Sequence, residues 1–210
     1  MRRENCDMRR ENCDMRFETV KTNLEARGYT VKVFATAAEA AAYLNGEIDG
    51  KSVGIGGSKT IQDMGLYETL SSHNEVHWHW VSGPQAHAQA AVADVYLTSA
   101  NGLTEAGEII NIDGAGNRVA STLFGHQKVY FVIGKNKLAP TYDEALWRAR
   151  NIAAPKNAQR LARKTPCAIK GDRCYDCKSP DRICKGLVVH WGAMTGMQME
   201  VVLVDEELGM

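Results

Sequence analysis

The sequence predicts a doubly wound α/β fold with a mainly parallel sheet, and two observations carry this prediction. Short β-branched segments alternate along the chain with segments of helical periodicity, which is typical of βαβ units whose strands are covered by helices on both faces. Polar loops that contain glycine follow several predicted strands, as in sheets that bind ligands at the carboxyl ends of their strands. With 210 residues, one such domain is the expected organisation.

The individual elements follow from apolar periodicity and from residues that start helices. Phe17, Val20 and Leu24 are spaced as one face of a first helix, and Thr141 with Glu144 forms a capping box that opens the longest one. The later helices are predicted at 36–44, 60–70, 85–92 and 141–163. The strands are predicted at 29–34, 51–55, 76–81, 94–98, 109–112, 129–133, 187–190 and 199–204.

The composition excludes several classes of protein. The 25 Lys and Arg residues balance 25 Asp and Glu residues, which argues against a nucleic-acid-binding protein that works through bulk charge. No apolar segment approaches the roughly 20 residues that span a bilayer, so we expect no membrane span. The N-terminus alternates charges without the apolar stretch of a signal peptide, so we expect a cytoplasmic protein.

The first fourteen residues are the heptapeptide MRRENCD written twice, which accounts for Cys6 and Cys13. Two copies do not make a coiled coil, so we expect a disordered or loosely helical tail over 1–14. The α/β domain is then expected over 15–210. There are two alternatives for the repeat. It could form a contact in a homo-oligomer, or it could supply a second pair of thiols.

The loop VGIGGSKT, residues 53–60, joins a predicted strand to a predicted helix. Gly56 and Gly57 let backbone N–H groups approach an anion, and the start of the helix favours negative charge. Ser58 and Thr60 add hydroxyl groups, and Thr60 is expected to cap the helix. The spacing is not that of a P-loop, and a tight strand-to-helix turn is the alternative. We predict that this loop binds a phosphate or a carboxylate.

Two further polar segments follow predicted strands. Asn101, Thr104 and Glu105 would form a polar wall opposite the first loop, with Glu105 as a nucleophile or general base. A hairpin loop whose side chains bond their own backbone is the alternative. In the segment DGAGNR, Asn117 and Arg118 follow a turn, and the Arg118 guanidinium is suited to clamp a carboxylate or phosphate. A plain turn is the alternative there.

Four cysteines form the sharpest cluster of the sequence. Cys167, Cys174, Cys177 and Cys184 have the spacing C-x6-C-x2-C-x6-C in a polar insert over 166–185. A long polar loop needs something to order it, and four thiolates around one metal ion or cluster would do so. Two disulfides, disfavoured in the cytosol, and a redox-active CxxC pair are the alternatives. Structural zinc sites usually have two short-spaced pairs, whereas this segment has one CxxC and two outlying cysteines. This spacing and the flanking basic residues favour a [4Fe–4S] cluster, with zinc as the second choice.

Three segments together resemble one family. GIGGSKTIQDMGLYETL, TSANGLTEAGEIINIDGAGNRVAS and DRCYDCKSPDRIC are similar to the LUD-domain proteins, the lactate-utilization (LutC-like) family, and the resemblance spans residues 15–205. The cysteine segment resembles one subgroup. The resemblance implies a fold similar to the ribose-phosphate isomerase and CoA-transferase group, with a cleft over the strand ends. It also implies a role in oxidising L-lactate to pyruvate beside iron–sulfur partner proteins.

The resemblance also implies roles for individual residues. In that fold group the loop that matches 56–58 commonly holds a phosphate or acyl group, and a glutamate in the stretch that matches 101–107 is the nucleophile of CoA transferases. We therefore expect an iron–sulfur or metal protein of organic-acid metabolism that binds a small organic acid or a phosphorylated ligand. A CoA-transferase-like or isomerase-like enzyme that uses Glu105 is one alternative. A non-catalytic subunit of an oxidoreductase complex is the other.

Overall fold

The structure is a computed structural model that describes residues 17–210, so the duplicated heptapeptide lies outside the described residues. Its strands are, in chain order, β1 (Thr30–Phe34), β2 (Ser52–Ile55), β3 (Glu75–Trp78), β4 (Val95–Thr98), β5 (Gly102–Thr104), β6 (Ile109–Asp113), β7 (Lys128–Gly134), β8 (Leu138–Ala139), β9 (Gly186–His190) and β10 (Gln198–Val204). Six of them form one sheet in the order β1-β10-β7-β4-β2-β3, and all of its neighbouring pairs are parallel. The predicted parallel sheet is therefore confirmed.

Helices cover both faces of this sheet. They are α1 (17–26), α2 (Ala37–Glu47), α3 (Lys59–Asp63), α4 (Leu66–Leu70), α5 (His79–Ser82), α6 (Ala86–Ala90), α7 (Asn117–Ser121), α8 (Tyr142–Arg148), α9 (Ala154–Arg160) and α10 (Pro166–Lys170). Alternate side chains of β7 enter two different apolar cores: Phe131 packs with Leu24 of α1, and Val132 packs with Leu44 of α2. None of the described helices combines the length and the apolar character that crossing a membrane requires.

The other four strands form a second, smaller sheet in the order β8-β5-β6-β9. β6 pairs antiparallel with both β5 and β9, and β5 pairs parallel with β8. The sequence predicts β6 and β9 but neither β5 nor β8. These two strands have three and two residues, which is too short for an alternating pattern to be read.

Two predicted elements between residues 60 and 81 differ from the structure. The helix at 60–70 is two helices, because Gly65 adopts a left-handed conformation with φ 62° between α3 and α4. The cap of α3 is Ser58, whose hydroxyl accepts from Ile61 N at 3.3 Å, and Thr60 is buried inside the first turn. The strand at 76–81 ends at Trp78, and the chain continues as α5.

The long helix at 141–163 begins where the sequence predicts. The Thr141 hydroxyl accepts from Glu144 N at 3.3 Å and lies 2.9 Å from a Glu144 carboxylate oxygen. The helix is not uniform, since a π-helical turn at Ala149–Ala153 separates α8 from α9, and it ends at Arg160. π-turns of this kind occur frequently at functional sites.

We expect the variant Gly54→Ala to destabilise the central sheet. A Cβ atom at Gly54 would lie 2.5 Å from the carbonyl oxygen of Ala90 and 2.9 Å from the Tyr96 ring, and the Ala90 backbone cannot easily move. We expect the free energy of unfolding in urea to fall by about 2 kcal/mol. Gly46→Ala in α2 is the matched control, since its Cβ would meet no atom within 4 Å. That control should gain about 0.5–1 kcal/mol, and equal effects of both substitutions would contradict the prediction.

Candidate functional site

A cleft of about 650 Å³ lies at the carboxyl ends of the central strands. Three loops that each follow a strand contribute to it: Ser58 comes after β2, Ser99 after β4 and Lys137 after β7. Because β4 lies between β2 and β7, the parallel sheet delivers these loops to one edge. Further lining comes from α9 and from residues 180–183 of the cysteine-rich segment.

Lys137 is a buried amine in the lining of this cleft, with only 3% of the residue exposed. Its Nζ donates to Thr60 Oγ1 at 2.7 Å and to Ser99 Oγ at 2.6 Å. Among the described residues, no carboxylate lies within ion-pair distance of this amine. Burial, reinforced by the charges of Arg148 and Arg118, lowers the pKa of Lys137 to about 7. A substantial fraction of the amine is therefore neutral near neutral pH.

The two hydroxyl groups beside Lys137 belong to a short chain of hydrogen bonds. Ser99 Oγ donates to Val132 O at 2.6 Å, so its remaining capacity is to accept from the amine. Thr60 Oγ1 lies 3.3 Å from Ser99 Oγ and 3.5 Å from Leu208 O. Thr60 is thus able to donate to, or accept from, Lys137 as the amine changes its protonation state.

Arg118 is buried and joins the loop after β4 to β6. Its Nη1 donates to Ser99 O at 3.4 Å and to Asn111 Oδ1, while Nη2 donates to Asn101 Oδ1 at 3.3 Å and to Ile112 O at 2.7 Å. The terminal N–H groups are thus directed at protein acceptors. Arg118 contributes positive charge to the cleft, and its hydrogen bonds connect the loop after β4 to β6. The sequence predicts a role in ligand binding but not this structural role.

The DGAGNR segment is organised around the carboxylate of Asp113. Oδ1 accepts from Gly114 N at 2.6 Å and from Gly116 N at 3.2 Å, and Oδ2 accepts from Val119 N at 3.1 Å. Burial raises the pKa of Asp113, but the charge of Arg118 and these N–H groups outweigh it, so the pKa lies below its ordinary value. The turn that the sequence predicts is present, and it starts the short helix α7.

Arg148 connects α8 to two loops of the cleft. Its Nε donates to Asn136 O at 2.6 Å, next to Lys137, and its Nη1 donates to Asn101 O at 2.6 Å. Burial lowers the pKa of Arg148 to about 10, which leaves it charged at neutral pH. The guanidinium therefore fixes the distance between the loop that carries Asn101 and the loop that carries Lys137.

The lining of the cleft is strongly basic. Among the described residues, two acidic side chains line it, Asp113 and Asp181. The basic side chains in the lining are Lys59, Arg118, Lys137, Arg160, Arg163, Arg182 and Lys185. Asp113 already accepts from backbone N–H groups, so positive charge predominates in this cleft although the whole chain is neutral.

Most predicted ligand-binding residues do come together here. Gly56 lies directly behind the lining, where a Cβ atom would be 3.0 Å from Arg118 Cγ and 2.9 Å from the Tyr96 hydroxyl. A glycine at 56 is therefore needed for Arg118 to reach its partners. The predicted residues in the lining itself are Gly57, Ser58, Thr60, Asn101, Asn117 and Arg118.

Thr104 and Glu105 are not part of this lining. Thr104 Oγ1 accepts from Glu108 N at 2.9 Å within the β5–β6 hairpin. The backbone of Glu105 bonds to Ala139 O and accepts from Asn23 Nδ2 of α1 at 2.7 Å. Glu105 therefore lies outside the lining of the cleft, and its role as a nucleophile or general base stays a prediction.

The cysteine-rich segment contributes residues 180–183 and Lys185 to the lining of the cleft. Cys167, Cys174, Cys177 and Cys184 are free thiols, each half-buried, and the first lies in α10. Within residues 17–210, no three or more His, Cys, Asp or Glu side chains are arranged to hold a metal ion. Cys174 Sγ instead accepts from Asp176 N at 3.3 Å. A metal ion or cluster held by these four cysteines stays a prediction.

Sequence reasoning missed Lys137, although the rule that ligands bind after parallel strands points to it. Lys137 lies three residues after the end of β7, but the segment around it has no glycine-rich motif that would mark it as a binding loop. It also missed the side of the cleft made by α5 and α6, where the His79 and His87 rings stack with centroids 4.1 Å apart. The sequence prediction placed His79 inside a strand at 76–81. In the structure the strand ends at Trp78, and the turn into α5 brings His79 to the cleft.

The comparisons with known proteins agree with this fold. The sequence matches the LUD domain over residues 17–204. The structure is similar to the crystal structure of a DUF162 family protein from Deinococcus radiodurans, with a TM-score of 0.54 and 14% identity over 91% of this chain and 97% of that chain. At this identity the likeness concerns the fold alone, and a comparison with curated proteins gave no match. The subgroup that the cysteine segment resembles stays a prediction. The resemblance to the family itself is confirmed, and the chain belongs to the LUD-domain family.

Proposed function

We propose that the cleft binds a small anionic ligand, a carboxylate or phosphate compound, and that the protein acts in organic-acid metabolism. The observation that carries this proposal is the charge of the lining, in which basic side chains far outnumber the two acidic ones. A concave, partly dehydrated site strengthens the attraction between such side chains and an anion. The position of the cleft at the carboxyl ends of parallel strands supports the same conclusion.

Membership of the LUD-domain family makes lactate utilization the first metabolic context to test. We therefore propose L-lactate and its oxidation product pyruvate as candidate ligands. Oxidation of lactate requires an electron acceptor, and we propose an iron–sulfur redox partner protein for that role. The cytoplasm remains the proposed compartment, and a part in an oxidoreductase complex remains the proposed setting.

We expect L-lactate and inorganic phosphate to bind in isothermal titration calorimetry, with an affinity that falls as ionic strength rises. Arg163 and Lys185 are exposed cations of the lining, so the double variant Arg163→Gln, Lys185→Gln should bind about fivefold more weakly, at about 0.5 kcal/mol for each charge. Lys51→Gln is the matched control, because Lys51 is exposed and precedes β2 at the opposite end of the sheet. Absence of binding, or equal effects of the two variants, would contradict the proposal.

The predicted [4Fe–4S] cluster, or zinc in its place, has a direct test. Protein purified without oxygen is analysed for iron, sulfide and zinc, and its visible absorbance is recorded. If the four cysteines hold a [4Fe–4S] cluster, the protein contains iron and has a broad visible absorbance. This absorbance should be lost in the double variant Cys174→Ser, Cys177→Ser. A colourless protein with one zinc would identify the second choice, and a metal-free protein would contradict both.

A further inference from the structure

Lys137 is more deeply buried than a lysine that only attracts an anion needs to be. An exposed lysine keeps its hydration and acts as a point charge. The buried Lys137 amine instead donates to two hydroxyl groups, and among the described residues no carboxylate pairs with it. Desolvation and a neighbouring cation are the two devices that turn a lysine into a nucleophile at neutral pH. Both are present here, since burial and the Arg148 and Arg118 charges act on the same amine.

We propose that Lys137 is a catalytic nucleophile that forms an imine with a small anionic carbonyl compound of the 2-oxo acid class. This inference rests on the proposed function, because the basic lining brings the acid group to the cleft. The class follows from two requirements of the site. An amine in this environment reacts with a carbonyl carbon, and the positive charge of Arg118 close to it favours a carboxylate beside that carbon.

The reaction balances without a further reagent. The lone pair of Nζ forms a bond to the carbonyl carbon, and one amine proton passes to the carbonyl oxygen, which becomes the hydroxyl of a carbinolamine. Loss of this hydroxyl together with the remaining N–H proton gives the imine and one molecule of water. No electrons are transferred to an acceptor, so the step needs neither an oxidant nor a metal.

The hydroxyls of Thr60 and Ser99 suit the proton movements of this step. Both are within 2.7 Å of Nζ. The Thr60 hydroxyl is able to donate to or accept from the amine, whereas the Ser99 hydroxyl donates to Val132 O and therefore accepts from the amine. We therefore assign Thr60 and Ser99 as positioning groups for the Lys137 amine, and Thr60 as the one whose hydrogen bond adapts when the amine loses its proton.

Borohydride trapping tests this inference. The full chain is incubated with pyruvate as the probe, sodium cyanoborohydride is added, and the intact mass is measured. The expected result is a mass increase equal to pyruvate minus one oxygen plus hydrogen, with the modified residue mapped to Lys137 by peptide sequencing. Lactate, which has no carbonyl beside its carboxylate, should give no adduct.

The controls separate this inference from the proposed function. Lys137→Met should abolish the adduct, whereas Lys135→Met, an exposed lysine of the same turn, should keep it. Calorimetric binding of pyruvate without any adduct, or an adduct at another lysine, would overturn the inference and leave anion binding intact. Failure of every anion to bind would instead overturn the proposed function. If Lys137→Met does not fold, the wild-type adduct map decides alone, and Ser99→Ala should slow trapping without removing it.

Discussion

Lys137→Met is expected to stabilise the protein at neutral pH, although it removes the amine of the candidate site. In the native state the pKa of Lys137 is about 7 instead of its ordinary 10.5, so folding disfavours the charged form. Such a shift corresponds to a penalty on the order of a few kcal/mol. Methionine has nearly the same length, and Ser99 still donates to Val132 O after the substitution. We expect urea unfolding at pH 7 to show a gain of a few kcal/mol.

The difference in stability between the wild type and Lys137→Met should shrink as the pH rises. Between about pH 7 and pH 10.5, Lys137 is neutral in the folded protein and protonated in the unfolded chain, so unfolding takes up a proton. Raising the pH through this window disfavours unfolding, and the stability of the wild type relative to Lys137→Met should rise until the two converge. Lys135→Met should show no such convergence, because that lysine is exposed and pairs with Asp205. A variant that is less stable than the wild type at every pH would contradict the prediction.

Arg118→Met is expected to have the opposite effect and to destabilise the protein by about 3 kcal/mol or more. The substitution removes the donors that serve Ser99 O, Asn111 Oδ1 and Ile112 O, and these buried acceptors then have no replacement from the methionine. It also removes the positive charge that lowers the pKa of Asp113. The free energy of unfolding from urea titration, followed by circular dichroism, measures the loss.

Two further variants show whether the loss of stability in Arg118→Met comes from the lost hydrogen-bond geometry or from the lost charge. Arg118→Lys should recover little of the stability, because one ammonium group cannot reach acceptors on both sides of a guanidinium. Arg163→Met removes an exposed cation from the same cleft and should change the stability by about 0.5 kcal/mol at most. If Arg118→Lys is as stable as the wild type, the network of directed hydrogen bonds is not the cause.

The fold could be predicted largely from sequence because its central strands β4, β7 and β10 are buried on both faces. β7 contains the apolar run 129–133 and β10 the run 201–204, and the glycine loop after β2 marks the change from strand to helix. The second sheet could not be assembled in this way, since β5 and β8 are defined by pairing with distant residues and not by local periodicity. The split of 60–70 depends on one residue, Gly65, whose positive φ a helical pattern does not reveal.

The candidate site was predictable where it consists of loops and not where it depends on burial. Ser58, Asn101 and Arg118 were found because they follow strands in polar segments. Lys137 has no neighbouring motif, and its importance comes from the loss of water and from Arg148, which is close in space only after the chain folds. Glu105 also lies in a polar segment after a strand, but it is absent from the lining of the cleft, and its role as a nucleophile or base stays a prediction.

The position of β10 between β1 and β7 bears on how the protein is made. During synthesis β1 leaves the ribosome early, but its partner in the sheet, residues 198–204, is translated after almost all of the other described residues. Until then the apolar residues of α1 and β1 lack the strand that joins them to β7, and the nascent chain exposes an open sheet edge. Completion of the sheet is therefore a late, long-range event. We expect a chain truncated before β10 to aggregate and not to fold as a smaller domain.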